Sequence, residues 1–309
     1  MIPLHQLIDF LREFAPPDLA ESWDNVGLLI GDPASEVNSV LTCLTLTPNV
    51  AEEAIAREAQ LIVTHHPVLF RPVKQLTTAN SEGRMLLSLI RAGIAVYSPH
   101  TSYDSAADGI NQQLARSFGL QEIQPLRPNL GMRSTTSRQI SRNALASGSA
   151  LTSTSEPGAS AFRLIESKQD VDSELIPIEQ PVGSGRFGRL PRPMSMSELI
   201  QQTKTVLGIS QLQYVGSLDR TVTKLAIACG AAAEFLADAA RSGCEAFLTG
   251  EARFHSCLEA EAANVAMILP GHYATERPAM LRLATILRSR FPELVAQASE
   301  SENDPVKFG

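Results

Sequence analysis

Short apolar runs that break off into His, Asp or Glu recur along this chain. They are LIVTHHP at 61–67, IAVYSPHTSYD at 94–104, AFLTGEARFH at 246–255 and AMILPGHYATE at 266–276. Three or more apolar residues in a row, bounded by polar ones, predict buried strands. Between the runs the apolar spacing lengthens to a helical period. In the first half the pattern predicts a strand over 40–46, then a helix with Thr47 as cap and Pro48 as its first residue. Strands over 61–63 and 94–97 follow, with helices over 85–91 and 109–118. The second half repeats the order, with strands over 225–228, 246–248 and 265–269 and helices over 232–241, 253–263 and 276–288. Repeated βαβ units imply parallel strands joined by right-handed crossovers. The expected fold class is α/β: two linked lobes with mostly parallel sheets, a weak internal duplication, and a metal site at the strand carboxyl ends.

Between the halves periodicity lapses. Twelve of the 31 residues from 131 to 161 are Ser or Thr. Such a stretch buries too little apolar surface to offset its ordering entropy, so a flexible insertion is expected over 122–183. Short apolar runs at 161–165 and 175–178 interrupt it. Order is expected to resume at GSGRFGRL, with Ser197 capping an amphipathic helix that ends before Gly208. The folded core is thus expected at 1–121 and 184–309.

Composition narrows the function. The chain has 309 residues, 44% of them apolar, with 26 Lys plus Arg against 33 Asp plus Glu, a formal charge of -7. That balance lacks the basic footprint of a nucleic-acid binder. No apolar stretch has the length of a membrane span. The N-terminus reads as an amphipathic helix rather than a signal peptide, since Asp9, Arg12 and Glu13 interrupt its apolar positions. The four cysteines, Cys43, Cys229, Cys244 and Cys257, form no C-x-x-C pair. Reduced, buried thiols in a cytoplasmic protein are expected, without disulfides or a Cys zinc site.

The chemistry gathers on histidines, five of six of which end an apolar run. Ligands of open α/β sheets bind beyond the strand carboxyl ends, so these side chains can converge. His65 and His66 are adjacent, which on a regular strand sends them to opposite faces. At a strand end before Pro67 both rings can face one cavity, suiting two ions roughly 3.5–4 Å apart. His272 and Glu276 are four apart, on one helix face. Glu276 can bridge two cations, or simply complement a helix dipole. Asp104 can complete an ion's shell or cap a helix. His100, four residues before it, is read as orienting a ligand or touching substrate. Glu251 and His255, again four apart, read as further ligands, as an acid–base pair, or as a bare helix-face pair. Trp23, Asp24 and Asn25 read equally as a turn or a pocket wall. Mixed imidazole and carboxylate ligands suit zinc, manganese, iron or magnesium.

Taken together, ESWDNVGLLIGDP, LIVTHHPVLFRPVKQLT, SPHTSYD with GINQQLA, GSGRFGRLPRPMSMSELI, LTGEARFHSCLEA, PGHYATE and the tail DPVKFG resemble the Nif-three-like dinuclear metal centre family, also called type 2 GTP cyclohydrolase I. The resemblance covers 1 to about 121 and 184–309. It implies two divalent ions per subunit on His65, His66, Asp104, His272 and Glu276. It also implies a toroidal homohexamer of two-lobed subunits with the metal sites lining its interior. Two departures stand out: Thr45 where the family often has Asp, and alanines at Ala231, Ala232 and Ala233 in a turn that is glycine-rich in the family. Extra methyl groups there crowd a backbone nest of the kind that holds phosphate.

The expected function is metal-dependent hydrolysis of a nucleotide or phosphorylated small molecule, with His100, Glu251 or His255 carrying protons. GTP ring-opening is the family-level instance. The alternative is a non-catalytic metal-binding ring acting as adaptor or regulatory scaffold. A DNA-associated role would rest on Arg71, Lys74, Arg253 and Arg277, and the net charge opposes it.

Overall fold

A computed structural model describes residues 1–129 and 182–307; the Ser/Thr-rich stretch and the apolar runs at 161–165 and 175–178 lie outside the described residues. The predicted alternation of strands and helices resolves into two large sheets. The first is ordered β15 (Val295–Ala298), β4 (Ser39–Thr45), β5 (Leu61–His66), β6 (Ala95–Ser98) and β2 (Gly27–Ile30). Its first four strands are parallel and β2 is an antiparallel edge. The second is ordered β11 (Gln213–Val215), β14 (Ala266–Leu269), β13 (Ala246–Thr249), β12 (Thr221–Ala228), β10 (Arg186–Ser195) and β7 (Gln121–Gln124). Its β14–β13–β12 centre is parallel and its flanks are antiparallel. Ordered structure therefore continues past residue 121, because β7 completes this sheet. Two-stranded ribbons pair β1 (Ile2–Pro3) with β3 (Glu36–Val37), and β8 (Arg127–Pro128) with β9 (Gly183–Ser184).

Strands buried on both faces read as continuous apolar runs, which is why 40–44 and 61–63 are legible. One face of the first sheet, with Leu41, Cys43, Ile62 and Val96, packs on α2 (Pro48–Ala56) and α3 (Ser81–Arg91) through Val50, Ala54, Leu86 and Leu89. The other face, with Val40, Leu44, Leu61 and Val63, joins a cluster that runs through α1 (Leu4–Phe14), α5 (Ile110–Ser117) and α6 (Met196–Leu207) to Leu225, Ile227, Leu248 and Ile268 of the second sheet. The far face of that sheet, with Ala226, Phe247 and Met267, packs on α7 (Leu236–Arg241) and α8 (Phe254–Ala262). Each such Leu, Ile or Phe is worth about 1.5–3 kcal/mol when fully buried.

One helix bridges the two sheets. α9 (His272–Arg290) leaves β14 of the second sheet and packs along β4 and β15 of the first. Its amino end therefore lies where the strand ends of both halves meet. It starts four residues earlier than the pattern predicts, directly after Gly271 at φ +107. The segment between the predicted strand over 94–97 and the predicted helix over 109–118 contains the short helix α4 (His100–Ser105). Strand β5 runs to His66 rather than stopping at 63. Ser195, not Ser197, caps α6, because Glu198 sits three residues on and closes a reciprocal capping box. Thr47 caps α2 as expected, accepting from Val50 N.

Arg186, fully buried at the start of β10, pins this junction. Its guanidinium donates to the carbonyls of Gly183, Gly185 and Ala106 and to Gln112 Oε1. Burial lowers its pKa to about 10. Among the described residues, no helix is long and apolar enough to cross a membrane.

Candidate metal centre

At the carboxyl end of β5, His65 is completely buried, and neither ring nitrogen has a hydrogen-bond partner. Its Nε2 lies 3.6 Å from Asp104 Oδ1 and 3.8 Å from Glu276 Oε2. A buried polar group left unpaired costs about 1–3 kcal/mol, so an imidazole kept in this state among carboxylates fits a ligand set better than a packing residue. His66 turns its Nε2 toward the same point, 3.1 Å from Glu276 Oε2 and 3.2 Å from His272 Nε2. Glu276, one turn into α9, places Oε2 2.9 Å from His272 Nε2. One carboxylate oxygen thus faces the Nε2 atoms of three imidazoles. Two of those nitrogens lie within hydrogen-bond distance of each other, an arrangement that one shared proton or one shared cation satisfies.

The donors fall into two overlapping sets. His65, His66 and His100 offer atoms within 4.8 Å of one another, as do His66, His272 and Glu276. Asp104, on α4, joins through His65 and accepts a hydrogen bond from Cys229 Sγ at 3.2 Å. Hard carboxylates with imidazoles fit divalent zinc, manganese or iron.

Two glycines make room for this packing. Gly230, at φ +67, follows the end of β12, and a Cβ there would overlap Glu276 Oε1 and stand 3.3 Å from His272 Nε2. Gly250, after β13, would drive a Cβ to 2.8 Å from His272 Cα and 2.9 Å from Thr275 Oγ1. Strand ends from both sheets therefore press onto the first turn of α9.

The charges are strongly coupled. Burial raises the Glu276 carboxyl, but His65 and the hydrogen-bonded His272 and His66 pull it below the usual carboxylate range. Burial and the nearby Glu276 charge push Asp104 up. Burial holds His65 neutral, well below its ordinary value. The hydrogen bond to Glu276 lifts His272 to about 9.

His100 occupies the mouth of the cluster with a strained backbone at φ +25. Its ring lies 5.1 Å from that of His65 and 5.8 Å from that of His66. Its Nδ1 is 2.7 Å from Asp24 Oδ1, whose partner oxygen accepts from Thr101 N and Thr101 Oγ1. Burial lowers the His100 pKa, but the Asp24 hydrogen bond together with the charges of Asp104, Asp24 and Glu276 outweighs it, and the net shift is upward. The sequence leaves Asp24 between turn and pocket wall; it is instead the fully buried orienter of His100. Trp23 is 58% exposed and stands edge-on to Phe70 and His100, at 6.0 and 6.2 Å. Asn25 Nδ2 donates to the Leu69 carbonyl.

Of the other candidates, Glu251 reaches the centre, with Oε1 3.2 Å from His272 Nδ1. His255 does not: it is exposed on α8, with its ring 5.9 Å from that of Phe254. Two cavities touch residues of the centre, one through Glu251 and one through His66. One of about 510 Å³ is lined by Ala231, Ala233, Glu251, Arg253 and Ser256. Another of about 280 Å³ is lined by Thr45, Thr47, His66 and Met85.

The Duf34/NIF3 (NGG1p interacting factor 3) family model matches residues 2–305. The chain is 29% identical over 306 residues to a GTP cyclohydrolase 1 type 2 homolog of Clostridium perfringens, covering 99% of each. It is 29% identical over 351 residues to NIF3-like protein 1 of Rattus norvegicus, covering 98% of this chain and 92% of the other. Among solved structures, a Staphylococcus aureus protein superposes with a TM-score of 0.76 at 27% identity, covering 99% of both chains. A Bacillus cereus protein related to NIF3 gives 0.77 at 23%, covering 100% of both, a likeness of fold.

Proposed function

Because this chain belongs to the Duf34/NIF3 family, we propose that its centre holds two divalent metal ions and serves hydrolysis of a nucleotide or phosphorylated small molecule. The observation that carries the reading is the fully buried His65, with both ring nitrogens unpaired and Nε2 turned toward Asp104 and Glu276. His65, His66, Asp104, His272 and Glu276 are the assigned ligands. Such ions supply Lewis-acid polarisation and a water acidic enough to ionise near neutral pH. The chain's own contribution is to exclude bulk water around His65 and to hold His272 between Glu251 and Glu276. His100 accepts a proton at Nε2 while Asp24 fixes Nδ1. The names of the bacterial relatives make GTP the first substrate to try.

The two-lobed core is assigned to 1–121 together with 184–309, and the matching β-α-β-α-β runs of the two sheets support a duplication. Assembly as a homohexamer in the cytoplasm is the family-level expectation, to be checked by sedimentation.

The test is elemental mass spectrometry on wild type, His65→Ala and Glu276→Ala, purified without chelator or immobilised metal. About two ions per chain in wild type, reduced in both variants, supports the centre. GTP and other nucleotides are then assayed with the metal found. No uptake of zinc, manganese, iron or magnesium refutes the centre. Full loading without turnover of any nucleotide favours the non-catalytic ring.

A further inference from the structure

We propose that Thr45, held by Glu302, is a positioning residue that aims His66 Nε2 into the metal centre. This rests on the metal reading above and adds to it a second layer built from the C-terminal segment. Thr45 and His66 are partners across the β4–β5 ladder, and Thr45 Oγ1 lies 2.7 Å from His66 Nδ1. An imidazole presents a lone pair at Nε2 only when its proton sits on Nδ1. A hydroxyl accepting that proton fixes both the tautomer and the ring plane. The ring plane matters here, because rotating the ring by half a turn would put carbon where Nε2 now meets Glu276 and His272.

Thr45 is itself held. The buried Glu302 carboxylate accepts from Thr45 N at 2.6 Å and Leu44 N at 2.9 Å. Arg277 Nε lies 2.8 Å from the same carboxylate, and Tyr273 Oη donates to the Glu302 carbonyl at 3.2 Å. Tyr273 and Arg277 sit on α9, each one residue after an assigned ligand. The segment after β15 therefore ties the ligand-bearing turn of α9 to the end of β4, and through Thr45 to His66. His65 has no such partner on either nitrogen.

The experiment compares Thr45→Val, which keeps the shape and loses the hydroxyl, with Thr45→Ser, which keeps the hydroxyl. Zinc affinity is measured by competition with a chromophoric chelator, and the His66 tautomer by ring-nitrogen chemical shifts. Thr45→Val is expected to bind zinc about 10–100-fold more weakly, the loss usual for an outer-shell partner. Its His66 should no longer be held as the Nδ1–H form, while Thr45→Ser stays close to wild type in both readouts. Glu302→Gln should weaken zinc in the same direction with a smaller loss. Thr45→Val binding zinc like wild type, or Thr45→Ser as impaired as Thr45→Val, overturns the role of Thr45. Glu302→Gln binding like wild type removes Glu302 from it. A wild-type chain that takes up none of zinc, manganese, iron or magnesium overturns the metal reading itself, and this proposal with it.

Discussion

Gly230→Ala separates the geometry of the metal centre from the stability of the fold. Gly230 sits at φ +67, where a side chain costs about 1–2 kcal/mol. For a chain of this size that is a fall in thermal midpoint of about 1.5–3 °C. The new methyl would also overlap Glu276 Oε1, and the carboxylate must draw back by about 1 Å to relieve it. Ligand distances tolerate changes of only about 0.2 Å, so a withdrawn Glu276 no longer serves. Losing a direct ligand should weaken zinc by more than the roughly 100-fold upper range for outer-shell partners. Gly243→Ala is the control, because Gly243 has φ +70 and a Cβ added there would meet nothing within 4 Å. Both variants should melt lower by similar amounts, but only Gly230→Ala should lose zinc in chelator competition. Added zinc should raise the melting midpoint of wild type and of Gly243→Ala, since a ligand that binds only the native state stabilises it. If Gly230→Ala holds zinc as tightly as Gly243→Ala, the placement of Glu276 in the ion's shell is wrong.

Two further outcomes follow from the same packing. Burial raises the Asp24 carboxyl, but its hydrogen bonds to His100 and Thr101 bring it down from 3.8 to about 2. A depressed folded value contributes stability above pH 3.8 that is lost as pH falls through about 2, so wild type should lose more thermal stability than Asp24→Asn across that window. Parallel melting curves over that range would count against the dyad. Arg186→Met removes the donors on which the Gly183, Gly185 and Ala106 carbonyls depend, and urea unfolding should show a loss of about 3 kcal/mol. A loss under about 1 kcal/mol would mean water replaces the guanidinium there.

The proposed ligands are legible because each lies at or just beyond the end of an apolar run, and a buried strand leading into His, Asp or Glu leaves that residue near the sheet's carboxyl edge. What is not legible comes from far along the chain. Asp24 meets His100 across 76 positions, and Glu302 meets Leu44 across 258. Neither leaves a periodic trace. Thr45 registers in the sequence only as a family departure, whereas its hydrogen bond to His66 depends on strand register. Strand β10 is hidden because Gly188, Pro191 and Pro193 punctuate RFGRLPRPMS like a loop. Its position beside β12 tolerates them, since the ladder shifts register between Arg189 and Met194. The pattern starts the helix over 272–290 too late because TERP, with its proline, looks like a boundary, while the true start is the turn at Gly271.

The bridging course of α9 bears on when the centre can exist during synthesis. His66 and Glu276 stand 210 residues apart, and their meeting needs β5 of the first sheet and the helix that follows the last strand of the second. Contacts so distant in sequence form late, after the chain has closed its largest loop. A growing polypeptide that has exposed the adjacent histidines can offer an ion only half a cage. Full loading thus marks a finished molecule, so metal uptake during refolding should track the last kinetic phase and report completion of the whole fold.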